Sequence, residues 1–413
     1  MKTFFSYCLF SLKHTLKAHQ VDIIDNDAIE GCDAAGDFFI VPCSPGILNV
    51  SAIKQVCEDF ERNHPLGRFI DADINDEQGV SVSSGKSKLC FFCLEKPAIE
   101  CRRGNVHKPE ELRSFMFTKM ANYCDKQKEA MIVKKLSSLA RKAILFEISL
   151  TPKPGLVDKI SNGSHTDMNY HTFIDSTTAI SSWFSDLVRE GFLFRGSDLT
   201  KALPLIRNIG LRMETEMYKA TRNINTQKGI IFFIGLSLFS CGILYRQGDH
   251  LDADKFCGIV SDICKDIVNN ELVGNQKSIK SHGEDIFLKY GFTGARGEAE
   301  GGFRTVFEFG LPQLERVTSL TDETLIRSFL AIAANSDDTN ILHRSNPSVL
   351  SEFKKLCKEA LENFNQLNYS KVIDFCKNKK ISPGGSADLL AVTIFVWLVK
   401  NAEGKAGFAN YDL

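Results

Sequence analysis

Residues 229–245, GIIFFIGLSLFSCGILY, carry no charged side chain, and Lys228 and Arg246 bracket them. Seventeen apolar residues are at the lower limit for crossing a bilayer, and we expect no second stretch of this kind in the chain. A helix that is buried on all sides inside a protein has the same pattern. The stretch therefore predicts the central core helix of a helical domain, without a role in a membrane.

The chain around this stretch is also predicted to be helical. Apolar residues recur at helical spacing within 325–333 and 350–364, and residues 114–150 form a long run that is charged at first and then apolar. Such stripes are the faces that pack into a core. We predict a large all-α domain over residues 141–413, preceded by a helical linker at 121–140.

The first 120 residues mix helix and strand. The spacing of Ile53, Val56, Cys57 and Phe60 predicts an amphipathic helix. Three segments, each bounded by Gly, Pro or Asp, are predicted to be strands: FFIVPC (38–43), GRFIDADI (67–74) and GVSVSS (79–84). We therefore predict a small α+β domain with an antiparallel or mixed sheet.

Composition limits the classes of function. A chain of 413 residues is expected to form two domains. Its net charge of −1 provides no overall field that would attract nucleic acid or an anionic membrane. The thirteen cysteines are scattered and odd in number, and no small-residue cleavage site follows the apolar N-terminal run. These features predict reduced thiols and a cytoplasmic location.

Six segments between the predicted helices are read as loops rich in glycine and polar residues. They are TPKPGLVD (151–158), NGSHTDM (162–168), NINTQKG (223–229), GARGEAEGGF (294–303), DDTNILHR (337–344) and SPGGSADLL (382–390). A capped helix terminus explains any one of them. Together they offer carboxylates beside anion-binding backbone, the combination that Mg²⁺ and a nucleoside triphosphate require. We expect the loops to meet at one site.

Five of these motifs, in this order, resemble the triphosphoribosyl-dephospho-CoA synthase family from about Glu147 onward. The resemblance implies that ATP is joined to 3′-dephospho-CoA through a new ribosyl bond and that adenine is released. The chain departs from the family at Gln227, where histidine is usual, and at Ser345 and Asn346, where two glycines are usual. The first change removes a proton carrier or phosphate donor, and the second alters a turn.

Roles follow for residues of this domain as hypotheses. We expect Mg²⁺ to be held by Glu298, Glu300 and Asp338, with Asp167 as a further ligand. The first three are also catalytic candidates, and His165 is a candidate proton carrier that is equally well explained as a cap or core residue. Phosphate or substrate binding is expected of Lys153, Lys228, Arg296, Arg344, Gly384, Gly385 and Ser386.

The N-terminal domain has a second resemblance, carried by NHPLGR (63–68) with Asp71 and Asp73. The motif is similar to that of the apo-citrate lyase phosphoribosyl-dephospho-CoA transferase family, which loads the prosthetic group onto a serine of the citrate lyase acyl carrier (gamma) subunit. We expect both aspartates to lie on one face of a strand and to hold Mg²⁺ in catalysis, and Gly67 and Arg68 to bind substrate. The resemblance also implies that the chain begins inside this domain, which would weaken the transfer activity. Fusions of the two families in one chain are known.

Four residues of this domain have the types of zinc ligands: Cys90, Cys93, Cys101 and His107. The resemblance to the transferase family extends over them. Their middle spacing is short for a structural zinc module, so three reduced cysteines and a surface histidine remain the alternative.

Two further functions remain open. One is an Mg²⁺-dependent glycohydrolase of ADP-ribose-type bonds, which would not need dephospho-CoA. The other is a non-catalytic scaffold for citrate lyase assembly, which would bind the acyl carrier subunit and release no adenine.

Overall fold

The computed structural model describes residues 2–406 except 34, 35, 45, 84, 86, 249 and 274–281. The chain divides into two compact units, one ending at Lys128 and the other beginning at Glu129. The predicted fold class is confirmed, because the first unit carries a few short antiparallel strands and the larger second unit is helical.

The first unit has two pairs of antiparallel strands, β1 with β4 and β2 with β3. Its elements are α1 (Lys2–Ala18), β1 (Asp22–Ile23), β2 (Ile29–Asp33), β3 (Gly36–Ile40), β4 (Cys43–Ser44), α2 (Val50–Asn63) and α3 (Ala98–Arg103). The predicted amphipathic helix is α2, which buries Ile53, Cys57 and Phe60. A small core contains Leu16, Val21, Ile53, Cys57 and Ala72.

The strand predictions in this unit are largely wrong. FFIVPC overlaps β3 and the first residue of β4 but is not one strand. GRFIDADI begins with a 3₁₀ turn, Gly67–Phe69, and residues 70–74 then run outside any strand. Within its described residues, 79–83, GVSVSS contributes a single bridge between Asn75 and Ser81, and residue 84 lies outside the described chain. The physical reason is that Asp71 and Asp73 pair with lysine side chains, and residues 70–74 have no partner strand within the described chain.

The second unit is built from helices. Helix α4 (Pro109–Ser149) contains the boundary between the units, and the predicted linker at 121–140 lies within it. The others are α5 (Tyr170–Ser181), α6 (Phe184–Leu193), α7 (Ala202–Ala220), α8 (Lys228–Arg246), α9 (Ala253–Ile263), α10 (His282–Tyr290), α11 (Gly294–Glu300), α12 (Leu311–Leu314), α13 (Asp322–Asn335), α14 (Thr339–Arg344), α15 (Pro347–Glu362), α16 (Gln366–Lys379) and α17 (Gly384–Ala406).

Helix α8 is the predicted central helix. It packs against α6 so closely that a Cβ at Gly191 would overlap the carbonyl of Phe239, and a Cβ at Gly242 would overlap the carbonyl of Val188. By length and composition α8 could cross a membrane, but 83% of its apolar window is buried. The expectation of a single such segment is wrong, since Gly384–Glu403 passes the same test and is 72% buried.

Four of the six predicted loops are partly helical. The last two residues of NINTQKG already belong to α8, which begins at Lys228. GARGEAEGGF forms α11 up to Glu300, because Ala and Glu favour helix and the glycines with positive φ, Gly294 and Gly302, lie at or beyond its ends. DDTNILHR forms α14 with Asp338 as its N-cap. SPGGSADLL begins α17 at Gly384.

Candidate active sites

Each of the six motif segments of the second unit contacts at least one of the others or its neighbouring residue, and these contacts lead to SPGGSADLL. The Nε2 of His165 lies 2.9 Å from the Ser382 hydroxyl, and a Cβ at Gly155 would overlap the carbonyl of the adjacent Ile381. Asp338 accepts a hydrogen bond from the Ser386 backbone at 2.8 Å. A Cβ at Gly229 would overlap Asp388, and one at Gly294 would lie 2.5 Å from Thr339. The expected meeting of the six segments is therefore observed.

Three carboxylates and one lysine lie at the centre of this meeting point. Lys153 Nζ pairs with Glu147 Oε1 at 2.7 Å, and both side chains are buried. Asp388 is half-buried, and the described chain provides its carboxylate with no hydrogen-bond donor. Burial raises the pKa of Asp388 well above its usual range, the negative charges of Glu147 and Asp338 raise it further, and Lys153 opposes them. Asp388 therefore holds its proton more tightly than a free aspartate does.

Asp338 differs from Asp388 because its oxygens are already used. One oxygen accepts from the backbone of Asn340 and Ile341, and the other accepts from the backbone and hydroxyl of Ser386. Burial raises the pKa of Asp338, and these hydrogen bonds act in the opposite direction. With four donors on two oxygens, Asp338 has no free position for the Mg²⁺ expected there. Its contacts instead fix the start of α14 against the start of α17.

The charged residues of GARGEAEGGF have separate environments. Glu298 accepts from the Thr305 backbone at 2.8 Å and from the Thr305 hydroxyl at 2.7 Å. Burial raises the pKa of Glu298 despite these bonds. Arg296 Nε pairs with Glu271 at 2.8 Å, and its Nη2 lies 3.9 Å from Glu284. Glu300 is half-buried. No hydrogen bond or ion pair joins Arg296 to Glu298 within the described chain, so the segment offers two sites rather than one.

His165 is held between two segments. Arg344 Nη2 donates to His165 Nδ1 at 3.3 Å and Nη1 donates to the Ser164 carbonyl at 3.0 Å. Because a guanidinium only donates, His165 Nδ1 carries no proton and its Nε2–H points to Ser382. Burial, then the charge of Arg344, lower the pKa of His165, although Asp167 at 3.9 Å raises it. His165 is therefore neutral near pH 7.

Lys228 and Gln227 begin helix α8. Lys228 Nζ pairs with Glu214 at 2.8 Å; burial lowers its pKa, but this pairing outweighs that effect and raises it. Gln227 is buried, and its side-chain oxygen accepts from the hydroxyls of Ser176 at 2.5 Å and Thr177 at 3.3 Å. The residue that departs from the family pattern is thus fully integrated into the fold.

The departure at residues 345 and 346 also has a structural role. Ser345 donates to the Ile341 carbonyl at 2.7 Å, and Asn346 caps α15 by accepting from Val349 at 3.1 Å. Both contacts give the turn between α14 and α15 hydrogen bonds that glycines could not supply.

In the first unit, the two motif aspartates lie beside lysines. Asp71 pairs with Lys88 at 2.7 Å, and Asp73 pairs with Lys54 at 2.9 Å. Glu61 is buried and connects the two aspartates to Lys88. It accepts from the backbone N–H of Ala72, which lies between the aspartates, at 2.9 Å and pairs with Lys88 at 2.8 Å. Sequence reasoning missed these partners. Lys54 was detectable, because it neighbours Ile53 on the buried face of α2, where a charge is unusual.

Gly67 and Arg68 connect this network to the cysteines. A Cβ at Gly67 would overlap the carbonyl of Glu61, so only glycine fits the close approach there. Arg68 Nη2 donates to the Leu89 carbonyl, one residue before Cys90. The 3₁₀ turn Gly67–Phe69 is therefore tied both to α2 and to the segment that begins at Lys88.

The four predicted zinc-ligand residues come together. One ligand atom from each of Cys90, Cys93, Cys101 and His107 lies within 4.8 Å of the others. The two sulfurs of Cys93 and Cys101 are 3.7 Å apart, too far for a disulfide bond. The Nε2 of His107 is buried and has no hydrogen-bond partner among the residues that the structure describes. His107 is therefore not the surface histidine of the alternative reading.

Comparisons with known proteins agree with both resemblances. Residues 133–406 match the family described as ATP:dephospho-CoA triphosphoribosyl transferase, and residues 1–123 match the family described as apo-citrate lyase phosphoribosyl-dephospho-CoA transferase. No solved structure matches the chain significantly.

Relatives cover both units or the second alone. Protein CitXG of Leuconostoc mesenteroides is 32% identical over 87% of this chain and 80% of its own length. The 2-(5″-triphosphoribosyl)-3′-dephosphocoenzyme-A synthase of Pectobacterium atrosepticum is 37% identical over 62% of this chain and 85% of its own length. A probable synthase of the same name in Streptococcus pyogenes is 33% identical over 64% of this chain and 96% of its own length. The chain therefore belongs to the ATP:dephospho-CoA triphosphoribosyl transferase family, carries an apo-citrate lyase phosphoribosyl-dephospho-CoA transferase domain before it, and is a transferase of citrate lyase prosthetic-group synthesis and attachment.

Proposed function

We propose that the second unit joins ATP to 3′-dephospho-CoA at the cluster around Asp388. In this reaction a ribose hydroxyl of dephospho-CoA attacks the anomeric carbon of ATP, the bond to adenine breaks, and adenine leaves with a proton. The triphosphate stays intact. The observation that carries the proposal is the series of contacts that joins the six motif segments to SPGGSADLL, next to three carboxylates, and the family membership connects these motifs to this chemistry.

Asp388 and Glu147 are the residues that fit Mg²⁺ best. The charge of Glu147 adds to the raised pKa of Asp388, the described chain gives the Asp388 carboxylate no donor, and Glu147 has one oxygen paired with Lys153. Two carboxylates of this kind are the usual protein share of a magnesium site whose other ligands are phosphate oxygens and water. Bound there, Mg²⁺ would neutralise charge on the triphosphate. We keep Glu300 and Asp167 as further ligands and move Asp338 to a positioning role.

The start of α17, a 23-residue helix, is already partly occupied by side chains. Asn340 and Asp338 lie against Gly384 and Gly385, and Asp338 accepts the Ser386 N–H, so we propose that phosphate shares the N–H groups of this first turn with Asp338. Helix N-termini stabilise anions through these groups and the helix dipole. Lys228, Arg296 and Arg344 are already paired within the protein, so we propose that they contribute positive field and exchange partners when the triphosphate binds.

We assign roles in proton transfer according to the protonation states of two carboxylic acids and His165. Burial raises the pKa of Glu298 and of Asp388. Once a neighbouring cation favours the ionised carboxylate, such a group is suited to accept the proton of the attacking hydroxyl. Neutral His165 donates its Nε2–H to Ser382, so we assign it the role of positioning Ser382 before the start of α17. The developing positive charge on the ribose is stabilised by the excess of carboxylates.

The first unit is proposed to transfer the product to the citrate lyase acyl carrier (gamma) subunit. The serine hydroxyl of that subunit attacks the phosphate next to the ribose, and pyrophosphate leaves. Lys54 and Lys88 offer positive charge to the leaving group beside Asp71 and Asp73, and the aspartates could exchange them for Mg²⁺. We place the whole chain in the cytoplasm, where ATP and dephospho-CoA are made.

Adenine release from Mg-ATP, measured with and without dephospho-CoA, tests the synthase half. We expect release only when both substrates are present. Release without dephospho-CoA would replace the proposal with the glycohydrolase. Absence of release under both conditions, together with binding of the acyl carrier subunit, would replace it with the assembly scaffold.

A further inference from the structure

We propose that the cluster Cys90, Cys93, Cys101 and His107 is a structural zinc site that positions the transfer machinery of the first unit. The inference rests in part on the proposed transfer to the acyl carrier subunit. It goes beyond that proposal because the transfer site of the first unit would depend on a metal that takes no part in the chemistry, whereas the synthase site of the second unit would not.

The donor set fits zinc and is complete. Three thiols and one imidazole can approach one tetrahedral ion, with Zn–S and Zn–N bonds of about 2.3 and 2.0–2.1 Å, from positions within 4.8 Å of one another. A closed set of four protein ligands is typical of structural rather than catalytic zinc. The buried Nε2 of His107, which has no hydrogen-bond partner in the described chain, would gain its missing partner from the ion.

The backbone around the first two cysteines also requires an explanation. The Cys90 N–H donates to the Lys96 carbonyl at 2.7 Å, and the Leu94 N–H donates to the Cys90 carbonyl at 3.0 Å. Leu94 has φ of +58°, a conformation that is unfavourable for a leucine. Such strain costs on the order of 1–3 kcal/mol and persists where other interactions over-determine it. A metal bound to both cysteines would hold this turn.

The same segment touches the transfer site at two points. Lys88, two residues before Cys90, pairs with Glu61 and Asp71, and the Leu89 carbonyl accepts from Arg68. The Ala98 N–H donates to the Lys88 carbonyl at 2.8 Å, which links the segment to α3 and thus to Cys101. A metal that fixes Cys90 relative to Cys101 therefore fixes Lys88 and Leu89 as well.

Aromatic side chains provide a third connection. The ring centroid of Phe91 lies 5.3 Å from that of Phe69, which belongs to the 3₁₀ turn containing Arg68. Phe92 packs 4.9 Å from the ring of His107 and 5.3 Å from Phe115. The two residues between the ligands Cys90 and Cys93 thus face both the motif and the fourth ligand. Loss of the metal would loosen both packing contacts.

The first test needs no activity. We would purify the full chain with zinc present and measure bound metal by elemental analysis, for the wild type, Cys93→Ala and Cys32→Ser. Cys32 is an exposed thiol of the same unit and serves as the matched control. We expect about one zinc per chain in the wild type and the control, as for other structural sites, and a large loss in Cys93→Ala. A wild type without zinc, or with Cys93 and Cys101 joined by a disulfide, would overturn the proposal.

The second test follows amide hydrogen exchange after removal of zinc by a chelator. We expect faster exchange in residues 67–73 and 88–107 and no change in α8, which belongs to the other unit. Unchanged exchange in residues 67–73 would show that the metal does not position the motif. This outcome is independent of whether the acyl carrier subunit is the acceptor, so it separates failure of the inference from failure of the proposed function.

A variant that keeps the ligands tests the route from metal to reaction. Phe91→Ala should retain zinc, because Phe91 is not a ligand, and should lower loading of the acyl carrier subunit by about 10–100-fold through loss of its contact with Phe69, the range for partners that orient a site from outside it. Adenine release should be unchanged in Phe91→Ala and in Cys93→Ala, because it occurs in the second unit. Full loading by zinc-free Cys93→Ala would contradict the inference.

Discussion

The carboxylate of Asp388 lies directly against the backbone of Gly229, with no room for a side-chain carbon between them. This contact joins the beginning of α17 to the beginning of α8. It explains why the first turn of α8 contains a glycine, and it places the Asp388 carboxylate near the point where two helix N-termini meet.

Gly229→Ala should displace Asp388 and reduce adenine release. A shift of about 1 Å in a reacting group can lower the rate by about 10²-fold, and we expect a loss of that order in kcat/KM. Gly258→Ala in α9 is the control, since a Cβ there meets no atom within 4 Å. Equal activity of the two variants would show that the close contact has no functional consequence.

Asp388→Asn should abolish most activity and yet stabilise the protein at high pH. We expect a decrease in adenine release of about 10²–10⁴-fold, as for loss of an acid–base group. The control Asp374→Asn changes an exposed aspartate of α16. Activity within a few-fold of the wild type in Asp388→Asn would exclude Asp388 from the reaction.

The pH dependence of stability follows from the direction of the Asp388 shift. The folded chain holds this proton more tightly than the unfolded chain, whose aspartates titrate near pH ~4. The contribution to the free energy of unfolding is therefore complete below pH ~4 and is lost as pH rises through the higher pKa of the folded state. Thermal melts without Mg²⁺ should show Asp388→Asn above the wild type at pH 8, and the gap should close toward pH ~4. A gap that widens on acidification would contradict the shift.

Asp338→Ala should act mainly on stability. It removes a helix N-cap and leaves buried donors of Ser386 unpaired, so we expect a loss of about 2–4 kcal/mol in the free energy of unfolding. Urea denaturation measures this loss. Asp337→Ala, which removes an exposed pair with Lys354, should cost at most about 1 kcal/mol. If Asp338→Ala unfolded like the control but lost activity, the ligand role expected from the sequence would be restored.

Gln227→Leu should destabilise the chain by about 1–3 kcal/mol, because the hydroxyls of Ser176 and Thr177 lose their buried acceptor. Gln247→Leu, at an exposed position after α8, is the control. We expect Gln227→His, which restores the family residue, to keep the fold and to raise adenine release by no more than about tenfold. A proton carrier usually contributes about 10²-fold or more, so a gain this small would mean that the site does not depend on one at residue 227. A gain above 10²-fold would mean that the departure had disabled the site.

The sequence predicted the fold class and most helices of the second unit because their apolar periodicity is long and regular. It also predicted that six motif segments would meet. It failed for the strands of the first unit, where Asp71 and Asp73 alternate as in a strand but are held by Lys54 and Lys88, residues distant in sequence. Periodicity describes one segment and contains no information on such partners.

The hydrogen bonding of individual carboxylates could not be predicted from the sequence either. Asp338 and Asp388 have similar surroundings in sequence, each near a helix start, but one accepts four hydrogen bonds and the other accepts none within the described chain. That difference depends on which backbone groups α14 and α17 present to each carboxylate. The zinc-ligand set was recognisable from residue types, whereas the burial of the His107 Nε2 without a partner in the described chain depends on how the segment folds.

The most direct measurement is the intact mass of the citrate lyase acyl carrier subunit after incubation with the purified chain, Mg-ATP and dephospho-CoA. The account predicts that the subunit gains phosphoribosyl-dephospho-CoA on one serine, and that the gain is lost when dephospho-CoA is omitted. An unmodified subunit, in a reaction where adenine has been released, would contradict the claim that one chain both makes and attaches the prosthetic group.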